Sequence, residues 1–211
     1  MTTNDFLKLS WKQYLALEAD FMQTERYISF EEKNMSTYSQ EYIKRLQTIC
    51  GEIDVQCKQY CKILDNTFNG NNMLSYANTI LCNRSNIKSA VVYCGDLQLK
   101  PWEEWSSDPC DPNNGNNPLN VSPTWWKDYN KVKHERLATD SNGDFWYTHA
   151  NFENTVNALA ALYVICMNCY KDLAVAEGNR MTKPYYKNTL LQYKDWESSI
   201  ILLGDGVFIG D

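Results

Sequence analysis

The chain has 211 residues, of which 44% are apolar and 13% aromatic, and its 20 Lys and Arg against 26 Asp and Glu give a net charge of −6. This composition excludes a globally disordered chain, because there is enough apolar surface to form a core. It also argues against an overall basic nucleic-acid binder, although a local basic patch remains possible. The length favours one domain over residues 1–211.

Apolar residues at spacings of three and four predict helices through much of the chain. The first is expected over about 10–30, and two long ones over 37–66 and 150–175. Shorter helices are expected at 73–81 and 122–138. We therefore predict a mainly α fold, an up-and-down bundle of four to five helices in which the two longest run antiparallel.

Three segments depart from the helical pattern. Residues 89–99 are rich in β-branched residues around Cys94-Gly95-Asp96 and predict a small inserted β-hairpin. The stretch 108–123 contains four prolines and several asparagines, which is typical of a surface loop. Residues 180–211 predict an irregular C-terminal arm with one or two short strands.

The beginning of the chain lacks a basic segment followed by an apolar one, so no export signal is predicted. The longest apolar run, 158–167, has about half of the roughly 20 residues that a membrane helix needs. We therefore expect a cytoplasmic protein with no membrane partner.

In a reducing compartment the eight cysteines are expected to be free thiols. The pairs Cys57/Cys61 and Cys166/Cys169 lie among apolar residues of long helices, so they favour buried structural cysteines over a zinc site. Neither a metal nor another cofactor is predicted.

The segment 124–137 carries the most suggestive side chains. On a helix, one face would hold Trp125, Tyr129 and Val132. The other face would hold Lys127, Asn130, Lys131 and His134. The first face is expected to pack, and the second is either a solvated helix face or a cationic site with a histidine as general base.

Several short motifs resemble those of the HEPN superfamily. Tyr129-Asn130-x3-His134 follows the aromatic pairs Pro101-Trp102 and Trp125-Trp126, and Asn154-x2-Asn157-Ala-Leu-Ala-Ala-Leu comes after it. Upstream, a helix containing Tyr38-Ser39-x2-Tyr42 ends in Cys50-Gly-Glu-Ile-Asp. The resemblance covers most of residues 15–172 and implies an all-α bundle that forms a symmetric homodimer. Active members are metal-independent ribonucleases of toxin–antitoxin and other defence systems.

The resemblance also implies roles for the helix 122–138. His134 matches the signature histidine, and Asn130 matches the polar residue after the signature arginine, whose own position falls on Tyr129. His134, Asn130 and Lys127 would then be catalytic, whereas Lys131, Lys133 and Tyr129 would bind substrate. Tyr129 stands where the signature has arginine, so the positive charge would have to come from a lysine such as Lys127. A lysine offers a point charge, whereas arginine offers two parallel hydrogen-bond donors to phosphate, so this departure weakens the case for catalysis.

Two functions follow from these residues. The favoured one is a non-catalytic or weakly active dimerisation and partner-binding module of a defence or toxin–antitoxin type system, with an antitoxin or other protein as partner. The alternative is a metal-independent endoribonuclease that uses His134 and attack by the 2′-hydroxyl of RNA.

Overall fold

Helices form most of the described chain, as the composition predicts. The computed structural model describes residues 1–105, 122–178, 184, 190–194, 202–203 and 206–207. The α-helices are α1 Thr3–Phe6, α2 Lys12–Met22, α3 Gln40–Leu64, α4 Met73–Asn83, α5 Thr124–Glu135 and α6 Phe152–Ala176. A π-helix, Leu7–Trp11, joins α1 to α2, and short 3₁₀ turns include Gln23–Arg26 and Trp146–His149.

The two long helices, α3 and α6, form the centre of the fold and run parallel. At their starts, Phe152 N–H donates to the carbonyl of Thr37 at 2.8 Å. Near their ends, the Tyr60 hydroxyl donates to Asp172 at 2.7 Å. The prediction of an antiparallel pair is therefore wrong. Because α3 and α6 start at the same end of the bundle, the chain between them must return to that end. Helix α5 makes this return.

The N-terminal segment runs in the opposite direction along α6. Phe6 lies against Tyr170 near the end of α6, with ring centroids 6.0 Å apart. Phe21 stacks on Phe152 at its start, at 6.1 Å. This alternation confirms the predicted mainly α bundle, in which the aromatic rings of the N-terminal segment fill the space beside α3 and α6.

A small antiparallel sheet accompanies the helices. Strands β1 Val92–Cys94 and β2 Leu97–Leu99 form the predicted hairpin, and Gly95 at φ +56° makes its turn. Strand β3 Leu191–Tyr193 pairs with β1 on its other edge, so the order is β2-β1-β3. Two further short strands, β4 Leu202–Leu203 and β5 Gly206–Val207, pair with each other.

Two sequence predictions concern segments that are mostly undescribed. Residues 108–121 of the proline-rich loop and most of the arm 180–211 lie outside the described residues. Within the described part of the chain, α6 is the one helix long and apolar enough to cross a membrane, and 83% of its most apolar window is buried. Such burial is also typical of a core helix.

Among the described cysteines, one differs from the prediction. In the described part of the chain six cysteines are free and buried: Cys50, Cys57, Cys61, Cys94, Cys166 and Cys169. Cys82, exposed near the end of α4, is disulfide-bonded. The prediction that every thiol is free is therefore wrong at Cys82, which is exposed, in contrast to the six free cysteines.

Candidate functional site

Helix α5 positions the residues that the sequence singles out. Its first N–H group, that of Thr124, donates to the Glu104 carboxylate at 2.7 Å, so a side chain from an earlier segment caps the helix. Trp125 and Tyr129 are only 4% and 6% exposed, and Trp125 Nε1 donates to the carbonyl of Pro101 at 2.9 Å. The aromatic face of α5 therefore packs inward, as predicted.

The residues on the polar face of α5 do not come together in one catalytic site. Lys127 Nζ lies 4.0 Å from Glu104, and Lys131 Nζ lies 2.9 Å from Glu135. The Asn130 amide donates to the carbonyl of Trp126 at 2.9 Å. His134 is exposed, and its side chain makes no hydrogen bond or ion pair with another described residue. A general base is usually oriented by a second group, and no such partner for His134 lies among the described residues.

Three of the predicted residues do meet in a cavity of about 650 Å³ between α3, the start of α4 and α5. Tyr129, Asn130 and Lys133 line it together with Trp126 and Asp54. His134, Lys127 and Lys131 do not line it. Two predicted substrate-binding residues are thus brought beside one predicted catalytic residue, while the histidine stays outside.

The cavity combines aromatic rings with a cation. The rings of Trp126 and Tyr129 lie 5.2 Å apart, and Lys133 Nζ lies 5.6 Å from the centre of the Tyr129 ring. Among the described residues, Lys133 has no carboxylate within ion-pair distance, in contrast to Lys127 and Lys131. Burial raises the pKa of the Tyr129 hydroxyl, so it stays a neutral hydrogen-bond donor. An aromatic wall beside an ammonium that has no ion-pair partner among the described residues fits a ligand that is both flat and polar.

Sequence reasoning missed the second histidine, His149. Its Nδ1 lies 3.0 Å from Asp128 and its Nε2 lies 3.3 Å from Asp140. Asn154 donates to the same Asp128 oxygen at 2.9 Å. The turn at 140–144 was the signal that could have found it, since Asp140 lies within a short loop closed by the Thr139–Phe145 bridge and His149 follows that bridge by four residues.

The His149 ring is held between two carboxylates, those of Asp128 and Asp140. Both ring nitrogens face carboxylates, so neither is open to take a proton from a substrate. Although burial works in the opposite direction, hydrogen bonds from the backbone N–H groups of Asp144 and Asn142, and from His149, leave the pKa of Asp140 below its usual value. These contacts join α5 to the loop before α6.

The described residues contain no group of three or more His, Cys, Asp or Glu side chains that could hold a metal ion. The helical cysteine pairs are also poor ligands, because burial raises the pKa of Cys57 and Cys166 well above the ordinary value. A thiol must lose its proton to bind zinc, so these side chains favour packing over coordination.

No protein-family model, curated protein or solved structure matches this chain. The HEPN resemblance therefore rests on the motifs quoted above.

Proposed function

We propose that the chain is a HEPN-like, non-catalytic module that forms a homodimer and binds a partner protein in a defence or toxin–antitoxin type system. One observation supports binding over catalysis: His134 lies outside the cavity that Tyr129, Asn130 and Lys133 line. A histidine base must reach the proton that it removes, and a cation must lie beside the same phosphate. Here the histidine and the unpaired lysine line different surfaces.

The cavity supplies the binding surface of this proposal. Trp126 is half-buried, and Leu74, also in its wall, is 47% exposed. Half-buried tryptophans are frequent energetic centres of protein interfaces. We propose that a second copy of the chain covers this cavity, and that the resulting surface is where a partner such as an antitoxin docks. The cytoplasmic location remains part of the proposal, and the disulfide at Cys82 is the observation that speaks against it.

Light scattering coupled to size-exclusion chromatography tests the proposed dimer. The protein is expected to run as a dimer, and Trp126→Ala is expected to weaken the dimer roughly tenfold or more. Tyr27→Ala is the matched control, because Tyr27 is 86% exposed on another segment. A monomer at all concentrations, or equal effects of the two substitutions, would contradict the proposed interface.

The second candidate is the metal-independent endoribonuclease, which the cavity's composition favours. Aromatic rings stack on bases and lysine neutralises phosphate, so Trp126, Tyr129 and Lys133 could hold a nucleotide unit. His134 would remove the proton of the 2′-hydroxyl, whose oxygen attacks the adjacent phosphorus. The 5′-oxygen then leaves with a proton, and a 2′,3′-cyclic phosphate remains.

Incubation with single-stranded RNA in the presence of EDTA separates the two candidates. The binding module leaves the RNA intact, and His134→Ala changes nothing. Cleavage that yields cyclic phosphate ends, is lost in His134→Ala and is retained in Tyr129→Phe would instead establish the ribonuclease. Cleavage that survives His134→Ala would point to a contaminating enzyme.

A further inference from the structure

Another cavity, of about 370 Å³, lies between the N-terminal segment and α3, and no residue of α5 lines it. Its polar wall includes Ser10, Glu52 and Gln56, and its apolar wall includes Leu9 and Val55. The proposed binding surface does not involve this side of α3, and of the HEPN motifs only Cys50-Gly-Glu-Ile-Asp reaches it, through Glu52. The cavity therefore calls for a separate explanation.

Gln56 is a polar residue at a buried position, which is unusual. The residue is 3% exposed, and its Nε2 donates to Glu52 Oε1 at 2.6 Å. Its Oε1 is buried and has no hydrogen-bond partner among the described residues. The bond to the carboxylate establishes which end of the amide is the nitrogen, because a flipped amide would place two oxygens together. A buried carbonyl without a donor is costly, and such groups often mark a site for a ligand.

The surroundings of Gln56 combine negative charge with exposed apolar surface. Glu52 lies in a half-buried position, where burial raises the pKa of its carboxyl. Leu9 is 69% exposed and Val55 is 55% exposed. Leu9 and Ser10 belong to the π-helix Leu7–Trp11, and single π-turns within helices occur frequently at functional sites. The cavity thus has hydrogen-bond acceptors at one part of its wall and aliphatic side chains at another.

We propose that this cavity binds an alkylammonium group. Its N–H groups would donate to the Glu52 carboxylate and, after a small rotation of the amide, to Gln56 Oε1. The alkyl chain would lie along Leu9 and Val55. An ammonium presents three donors and no acceptor, which matches a wall with a carboxylate and an unpaired carbonyl. The source is either a free aliphatic amine or the lysine side chain of another protein.

Titration followed by NMR of the glutamine side-chain amides tests the site. Butylamine and 1,4-diaminobutane are expected to cause saturable shifts of the Gln56 amide signals. Tetramethylammonium carries the charge without N–H donors, and butanol carries the chain without the charge, so neither is expected to saturate. Tighter binding of the diamine than of Nα-acetyl-lysine amide would identify a free amine as the ligand, and the reverse order a lysine side chain.

Variants separate this site from general attraction of cations to an acidic protein. Glu52→Gln and Gln56→Leu are each expected to weaken butylamine roughly tenfold, as for the loss of one charge-assisted hydrogen bond. Glu41→Gln removes an exposed carboxylate from the same helix and is expected to change nothing. Glu52→Gln retains the shape of the side chain, so the test stands even if Gln56→Leu unfolds.

Three results would overturn the proposal. They are the absence of saturable shifts with either amine, equal binding of tetramethylammonium, and equal weakening by Glu41→Gln. The first would mean that water alone satisfies Gln56, and the other two would mean that cations gather on the surface without a specific site.

Discussion

The buried thiols predict how stability depends on alkaline pH. Burial raises the pKa of Cys61 and Cys94 from 9.0 to about 12. Their thiols ionise more easily in the unfolded chain, so the stabilisation that they confer is complete below about pH 9 and is lost as pH rises toward 12. Urea unfolding is expected to give a constant free energy near pH 7–8 and a decreasing one above about pH 9. A flat profile through pH 10.5 would contradict this linkage.

A second residue-level prediction concerns Asp172 on α6, whose side chain is 11% exposed and contacts residues of α3 and the end of α4. Its carboxylate accepts from Arg84 Nη2 at 2.7 Å and from the Tyr60 hydroxyl at 2.7 Å. Asp172→Ala would leave both donors without their partner, with an expected loss of about 2–4 kcal/mol, since Arg84 is partly exposed. Chemical denaturation measures this loss.

The surface pair Lys33–Glu31 provides the control for Asp172. Its nitrogen–oxygen distance is 2.6 Å, but its side chains are 73% and 50% exposed. Water screens such a pair, so Glu31→Ala is expected to cost no more than about 0.5 kcal/mol. Equal costs for the two substitutions would show that burial does not determine the strength of the Asp172 network.

At the scale of residues, the hydrophobic periodicity predicted well which side chains are buried, but it predicted poorly which side chains contact each other. The spacing of Trp125 and Tyr129 placed both side chains inward, because a helix repeats its faces regardless of what packs against them. The contacts of His149 join positions 128, 140 and 154, which only the folded chain brings together. The unpaired carbonyl of Gln56 has the same origin, since it depends on which side chains surround α3.

At the scale of elements, the helices were predictable and their arrangement was not. The hydrophobic repeat located α3, α4 and α6 to within a few residues. It also merged the π-helix, α2 and the following 3₁₀ turn into one helix over 10–30, because all three share similar apolar spacing. The parallel course of α3 and α6 depends on the path between them, which a local pattern does not report.

The docking of strand β3 gives a prediction for an element. Glu18 on α2 is 2% exposed, accepts from the Tyr14 hydroxyl at 2.7 Å, and lies 3.3 and 3.4 Å from the N–H groups of Leu190 and Leu191. Glu18→Leu removes the acceptor that holds the start of β3 against α2. Hydrogen exchange of residues 190–194 is expected to accelerate, while α3 and α6 stay protected.

The comparison for this strand is Glu18→Gln, which retains one acceptor oxygen. Exchange of residues 190–194 is then expected to lie between that of the Glu18→Leu variant and that of the unaltered protein. Unchanged exchange in Glu18→Leu would mean that pairing of β3 with β1 suffices to hold the strand.

At the scale of the whole molecule, α6 connects the remaining elements. The Trp102 indole donates to the carbonyl of Ala161 at 3.2 Å, and the Tyr163 ring lies 6.2 Å from that of Trp11. Near the end of the helix, Asp172 joins Arg84 and Tyr60. Because these partners come from four separate segments between Trp11 and Trp102, we expect the prediction of a single domain to appear as one cooperative unfolding transition.

Leu159→Ala tests that cooperativity at the centre of α6, where Leu159 is fully buried. The vacated volume is expected to lower the free energy of unfolding by about 2–5 kcal/mol. Far-UV circular dichroism follows the helices, and tryptophan fluorescence follows the surroundings of rings such as Trp11 and Trp102. The unfolding transitions measured by the two signals should shift together. Val175→Ala on the same helix removes a side chain that is 59% exposed and should cost no more than about 0.5 kcal/mol. Two separate transitions, or a shift in one signal alone, would mean that the bundle divides into independently unfolding parts.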